Sequence, residues 1–169
     1  MGRSGERDLG DLYRRHVPGA VRLAYLMTGD PMLAEDLAQD AFVRLTGRFA
    51  HLRNPDAFPA YLRRTVVNLV RNHYRRLKLE RSHLDSIGGD AAAIDELPDG
   101  VDAELVRAAL LELPYRQRAA IVLRYFEDLS ERRVAELLGC RPGTVKSLLS
   151  RGLTSLRAGL GVELERDHE

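Results

Sequence analysis

The chain has 169 residues, 44 % of them hydrophobic but only 6 % aromatic and none Trp, which suits one ordinary or two small helical domains packed through Leu, Val and Ala. Its one cysteine, Cys140, excludes an internal disulfide and fits a reducing compartment, and no run of about 18 apolar residues is present to span a bilayer. The polar opening MGRSGERDLG lacks the apolar segment of a secretory signal, so a cytoplasmic protein without membrane insertion is expected.

The net charge of +1 is unevenly spread. Residues 1–80 carry 14 Lys/Arg against 9 Asp/Glu, residues 81–102 carry 1 against 6, and residues 103–169 carry 11 against 10. Six basic residues and no acid lie within 57–79, and six basic residues with only Glu136 lie within 132–157. Such local asymmetry fits nucleic-acid surfaces and equally fits solvated helix faces.

The periodicity is helical throughout, with no strand-like alternation between hairpin turns, so the fold class is all-α. A first helix covers residues 9–17, and Pro18 starts or kinks a second that runs to Met27. Gly29, Asp30 and Pro31 form a stop and a start: a C′ glycine, an N-cap and a first-turn proline. The next helix runs to about Leu45, with Leu33, Leu37, Ala41 and Leu45, joined by Ala34, Ala38 and Phe42, as its apolar face. Its other side carries Glu35, Asp36, Gln39 and Asp40. Asp36 and Asp40 are like charges one turn apart, a cost of a few tenths of a kcal/mol that the positive helix N-terminus partly offsets. This side is either plainly solvated or a docking face for a basic partner.

Residues 46–57 read as a loop, with Asn54-Pro55 suited to a short turn. Pro59 begins a long helix to about Glu80, with Phe58, Leu62, Val66, Leu69 and His73 buried and Thr65 beside them. Arg64, Asn68, Arg71, Asn72 and Arg75 lie opposite. Residues 81–102 lose periodicity and read as an acidic flexible linker. The expected domains are therefore 1–80 and 103–169. In the second, helices are expected over 103–113, 114–127 (opened by Pro114), 130–138 and 142–157.

The last two helices have helix-turn-helix spacing. Ala135 is a small residue for the crossing, and Gly139, four positions on, accepts positive φ in the turn. Val145, then Leu148, faces back onto Val134 and Leu138. Ser130 can cap the first helix and Pro142 opens the second. Arg141, Thr144, Lys146, Ser147, Ser150 and Arg151 are left outward, near the end from which recognition helices read bases. The alternative is an ordinary helical hairpin with a solvated basic face. Cys140 reads as a small half-buried turn residue.

Longer strings carry a family resemblance. AYLMTGDPMLAEDLAQDAFVRL resembles region 2 of extracytoplasmic-function (ECF) sigma factors of the sigma-70 family. AYLRRTVVNLVRNHYRR resembles their following helix. ELPYRQRAAIVLRYFEDLS and AELLGCRPGTVKSLLSRGLTSLR resemble region 4. The resemblance covers roughly residues 9–158, and its details are similar to the actinobacterial, SigE-like branch. The sequence departs from the pattern in having Tyr61-Leu62 for Trp-Leu, Asn72 where Asp is common, Gly152 for Ala, and, in Ser130-Glu131-Arg132-Arg133, Arg133 where an acid would complete a capping box.

The resemblance implies a transcription initiation factor that is no enzyme. It directs core RNA polymerase to promoter DNA and opens it. Glu35, Asp36, Gln39 and Asp40 would bind a basic coiled-coil of the polymerase's largest subunit. Phe49, His51 and Arg53 on the loop, with Asn68, Arg71, Asn72, Arg75 and Arg76, would hold the −10 element, one base flipped out and others stacked. The recognition helix would enter the −35 major groove. The linker would thread the channel later filled by RNA, or serve only as a soluble spacer. An anti-sigma factor is an expected partner.

Three other readings compete. A response regulator would need a βα receiver domain, and no strands are found. An adaptor or anti-sigma protein would not need the basic recognition helix. An enzyme is disfavoured because His16, His51, His73, His83 and His168 have no ligand spacing with Cys140 or one another, and no phosphate loop occurs. No metal or cofactor is expected.

Overall fold

A computed structural model describes residues 3–48, 55–80 and 102–161, and among them no strand occurs. The chain divides into two compact units, Met1–Ala92 and Ala93–Glu169.

The first unit is built from three helices, α1 (Arg3–Thr28), α2 (Pro31–Thr46) and α3 (Phe58–Glu80), each packed on the other two. No new helix starts at Pro18, because α1 is one continuous helix through it. Pro18 is exposed, so its ring lies on the solvent side of the helix, and it leaves the Arg14 carbonyl without its usual amide partner. Buried Val17, Ala20, Leu23, Ala24 and Met27 hold the helix to the core on both sides of the proline. Each large side chain among these contributes about 1.5–3 kcal/mol, comparable with the cost of an interior proline.

The stop-and-start at residues 29–31 forms as read. Gly29 has φ 70° and donates to the Tyr25 carbonyl at 2.7 Å, and Asp30 Oδ1 accepts from the Leu33 amide at 3.1 Å. On α2 the fully buried Ala34, Ala38 and Ala41 bring its backbone close to its neighbours, while Leu33 and Leu37 are only half-buried. On α3 the apolar face is wider than expected. Val67 and Val70 are fully buried, and His73 is half-buried.

The second unit contains α4 (Ala103–Leu111), α5 (Tyr115–Ile121), α6 (Glu131–Leu138) and α7 (Pro142–Gly159). Asp102 caps α4 through the Glu104 amide at 3.0 Å. The helix opened by Pro114 is α-helical only to Ile121 and continues as a π-helical turn over Val122–Phe126. Ala119 through Leu123 are all buried, five consecutive residues, so this helix is enclosed on every side as the centre of the unit. The turn ends with the Glu127 amide on the Val122 carbonyl at 3.1 Å and Asp128 at φ 52°.

Two buried arginines belong to this core, contrary to what their charge suggests. Arg118 donates from Nη1 to the carbonyls of Leu111 (3.2 Å) and Leu113 (3.3 Å), satisfying acceptors that the end of α4 leaves open. Arg107 lies against Glu104, its Nε 3.1 Å from Oε2.

Candidate polymerase and nucleic-acid interfaces

Glu35, Asp36 and Gln39 are exposed on α2, and Asp40 is half-exposed. Asp40 is not a bare charge: its Oδ1 accepts from Arg44 Nε at 2.9 Å, and this hydrogen bond, reinforced by charge, raises the Arg44 pKa. Two apolar residues share this face and were not singled out by the sequence reading. Met32 is 77 % exposed and Val43 66 % exposed. With Asp36 and Gln39 they recur at intervals of three and four, so the four form one stripe, apolar at its ends and polar between. The available signal was that both fall off the buried stripe. Glu35 and Gln39 also border a groove lined by Tyr13, Arg14, Val17, Pro18 and Val21 of α1.

The α3 face is basic and amide-rich. Asn68, Asn72, Arg75 and Arg76 are exposed and Arg71 is half-buried. Tyr61, Arg64 and Leu79 extend the same face, Tyr61 being 45 % exposed while Leu62 beside it is buried. His73 points elsewhere, its ring edge-on to Tyr74 at 5.6 Å. Burial lowers its pKa, Arg76 adds to this, and Asp30 and Glu80 oppose it. Tyr74 donates its hydroxyl to the Met27 carbonyl at 3.2 Å, tying α3 to the end of α1.

Phe49, His51 and Arg53 lie outside the described residues, as do residues 81–101 and the tail from 162. The two ends of the 46–57 loop are described. Gly47 closes α2, with its amide on the Val43 carbonyl at 3.1 Å, and Pro55–Ala57 form one 3-10 turn before α3. Phe42 and Phe58 meet edge to face at 5.9 Å, joining those ends. His16 packs on Phe58 at 5.5 Å, its pKa lowered by burial and then by Arg15.

The helix-turn-helix geometry is present in α6 and α7. Ser130 Oγ accepts from the Arg133 amide at 3.2 Å. Gly139 adopts φ 64°, ψ 41°, and the Cys140 amide returns to the Ala135 carbonyl at 3.0 Å. Ala135, Val134, Leu138 and Val145 are buried as expected. The next core residue of α7 is Leu149, four on from Val145, whereas Leu148 is only half-buried. Arg141, Lys146, Ser147, Ser150 and Arg151 are exposed, and Thr144 is half-buried rather than fully outward. Ser147 donates to the Gly143 carbonyl at 3.3 Å, leaving its oxygen to accept. Cys140 is half-buried.

Gly152 has a role the sequence reading did not anticipate. It is buried against α5, where an added Cβ would sit 2.7 Å from Ile121 Cδ1 and 3.3 Å from Gln117 Cβ. Its effect is thus close helix approach, beyond the softening expected of a helical glycine.

Among the described residues, no group of three or more His, Cys, Asp or Glu is arranged to hold a metal, and no helix is long and apolar enough to cross a membrane.

Comparison with known proteins follows the same division. Residues 12–80 match Sigma-70 region 2 and residues 103–156 match Sigma-70, region 4. The chain is 36 % identical to the RNA polymerase sigma-E factor of Streptomyces avermitilis, over 83 % of this chain and 78 % of that one. It is 31 % identical to the ECF RNA polymerase sigma factor SigW of Bacillus subtilis, over 90 % and 87 %. Among solved structures it is similar to the sigma factor RpoE, crystallised with the anti-sigma factor NepR, from Bartonella quintana, at 25 % identity and TM-score 0.75, over 94 % of this chain and 99 % of that one. With both regions in order and this identity across most of each relative, the chain belongs to the extracytoplasmic-function sigma factors of the sigma-70 family.

Proposed function

We propose that the protein divides the work of transcription initiation among three faces. Glu35, Asp36, Gln39 and Asp40 of α2 dock on a basic coiled-coil of core RNA polymerase. Asn68, Arg71, Asn72, Arg75 and Arg76 of α3, with Phe49, His51 and Arg53 of the preceding loop, capture the opened −10 strand. Arg141, Thr144, Lys146, Ser147, Ser150 and Arg151 read and grip the −35 duplex. Residues 1–80, 81–102 and 103–169 act as polymerase and −10 binding domain, linker and −35 binding domain. The protein supplies binding energy and no covalent chemistry, and it works in the cytoplasm with the polymerase.

The observation that carries this reading is the segregation of charge onto helix faces: exposed acids on α2, cations with amides on α3, and cations on α7. Strand capture needs no nucleotide hydrolysis, because stacking contributes about 1–3 kcal/mol per base. An anti-sigma factor is a partner of the relative from Bartonella quintana, and the same class of partner is proposed for this chain. Runoff transcription with core polymerase on genomic fragments tests the whole reading. Start sites that depend on the added protein and share −10 and −35 elements are expected, and binding to promoter DNA without any binding to core polymerase would sink it.

A further inference from the structure

The outward positions of α7 extend beyond the turns that would read bases. Lys146, Ser150 and Arg157 are all exposed and fall on one side of the helix, because separations of four, seven and eleven residues return to nearly the same azimuth. Arg157 therefore stands about 16 Å beyond Lys146 along the axis. No Asp or Glu occurs anywhere in α7.

Most other cations described in the same unit are engaged, Arg116 excepted. Arg107 meets Glu104, Arg118 meets two carbonyls, Arg124 lies 4.0 Å from Asp128, and Arg132 and Arg133 both reach Glu136. Arg141, Lys146, Arg151 and Arg157 make no ion pair among the described residues. Two residues on from Arg157, α7 passes close to α4, a Cβ on Gly159 being 3.5 Å from Ala109 Cβ.

We infer that Arg157 is a phosphate anchor, gripping the DNA backbone at the far end of α7 while the first turns occupy the groove. The inference rests on the helix-turn-helix reading. A major groove is about 12 Å wide, so a straight helix whose start lies among base edges carries its later turns out over a flanking strand. A cation there meets phosphate and carries no sequence information. Its location in the last turn also suits the helix dipole, a role that any DNA-free measurement would register equally.

The test is holoenzyme binding to promoter fragments across a salt series, with Arg157→Gln, Arg157→Lys and Lys146→Ala compared with the unaltered chain. Gln keeps helix propensity, and melting by circular dichroism confirms the fold of each variant. Arg157→Gln is expected to lower the salt slope by about one and to weaken intact and scrambled −35 fragments alike, and Arg157→Lys is expected to restore the slope. If Arg157→Gln leaves the slope unchanged while Lys146→Ala lowers it, α7 is on DNA but Arg157 is not, and the inference is overturned. If neither substitution alters the slope, the helix-turn-helix reading has failed. Loss of core binding by Arg157→Gln would instead place the residue on a protein interface and overturn the phosphate role.

Discussion

Gly152 of α7 lies so close to Ile121 of α5 that a β-carbon on the glycine would stand 2.7 Å from Ile121 Cδ1. Two effects compete when Ala is placed there. Helix propensity favours Ala by about 0.8–1.0 kcal/mol. Overpacking a filled contact costs about 1–3 kcal/mol, and Gln117 Cβ at 3.3 Å limits the room for relief. Gly152→Ala is therefore expected to lower the melting temperature. In an Ile121→Val background, which removes Cδ1, the same substitution should lose its cost. Equal effects of Gly152→Ala in both backgrounds would show that Ile121 is not what the glycine accommodates.

The α2 face makes unequal demands on its two aspartates. Asp40 is already paired with Arg44, whereas no hydrogen bond or ion pair is found for Asp36 among the described residues. Asp36→Lys should weaken core polymerase binding more than Asp40→Lys, with helicity unchanged in both. Equilibrium binding to core enzyme at moderate salt decides, and unchanged affinity in both variants would remove the docking assignment.

The α3 face should act after docking. Asn68 and Asn72 are exposed one turn apart, so replacing both with Ala leaves the core of the three-helix unit untouched. Core binding should persist while open-complex formation falls, read as reduced permanganate reactivity of thymines near −10. Undiminished reactivity would take both residues off the DNA face.

The half-buried histidines set a pH dependence. His73 and His16 both have pKa values held below the ordinary 6.5, chiefly because burial disfavours the charged ring. The unfolded chain then takes up a proton at a higher pH than the folded one. Their contribution to stability is whole above pH about 6.5 and declines as the pH falls below it. Denaturant midpoints measured between pH 7.5 and 5.5 should fall with pH, and His73→Gln should flatten the fall. A midpoint that rises on acidification would contradict the sign.

Much of this molecule was legible from local chemistry. The helix boundary at Gly29-Asp30-Pro31, the Ser130 cap and the left-handed Gly139 depend on backbone geometry within a few residues, which residue type alone nearly dictates. The acidic stripe of α2 and the amide-and-basic stripe of α3 follow from a 3.6-residue period, so exposed Asp36, Gln39, Asn68 and Asn72 lie where periodicity assigned them.

Other features depended on what each helix meets. Pro18 does not end α1, because burial of the residues around it outweighs one lost hydrogen bond. The identity of Val67, Val70 and Leu149 as core residues depends on how many neighbours each helix faces, which periodicity does not report. Arg118 is buried because carbonyls at the end of α4 are brought to it by the packing of α4 on α5, and Gly152 is closely covered because α5 and α7 approach within a side chain's width. Local sequence determined the helices and their polar faces. Only packing decided which charges, like Arg118, lie inside the fold and which, like Arg157, remain exposed.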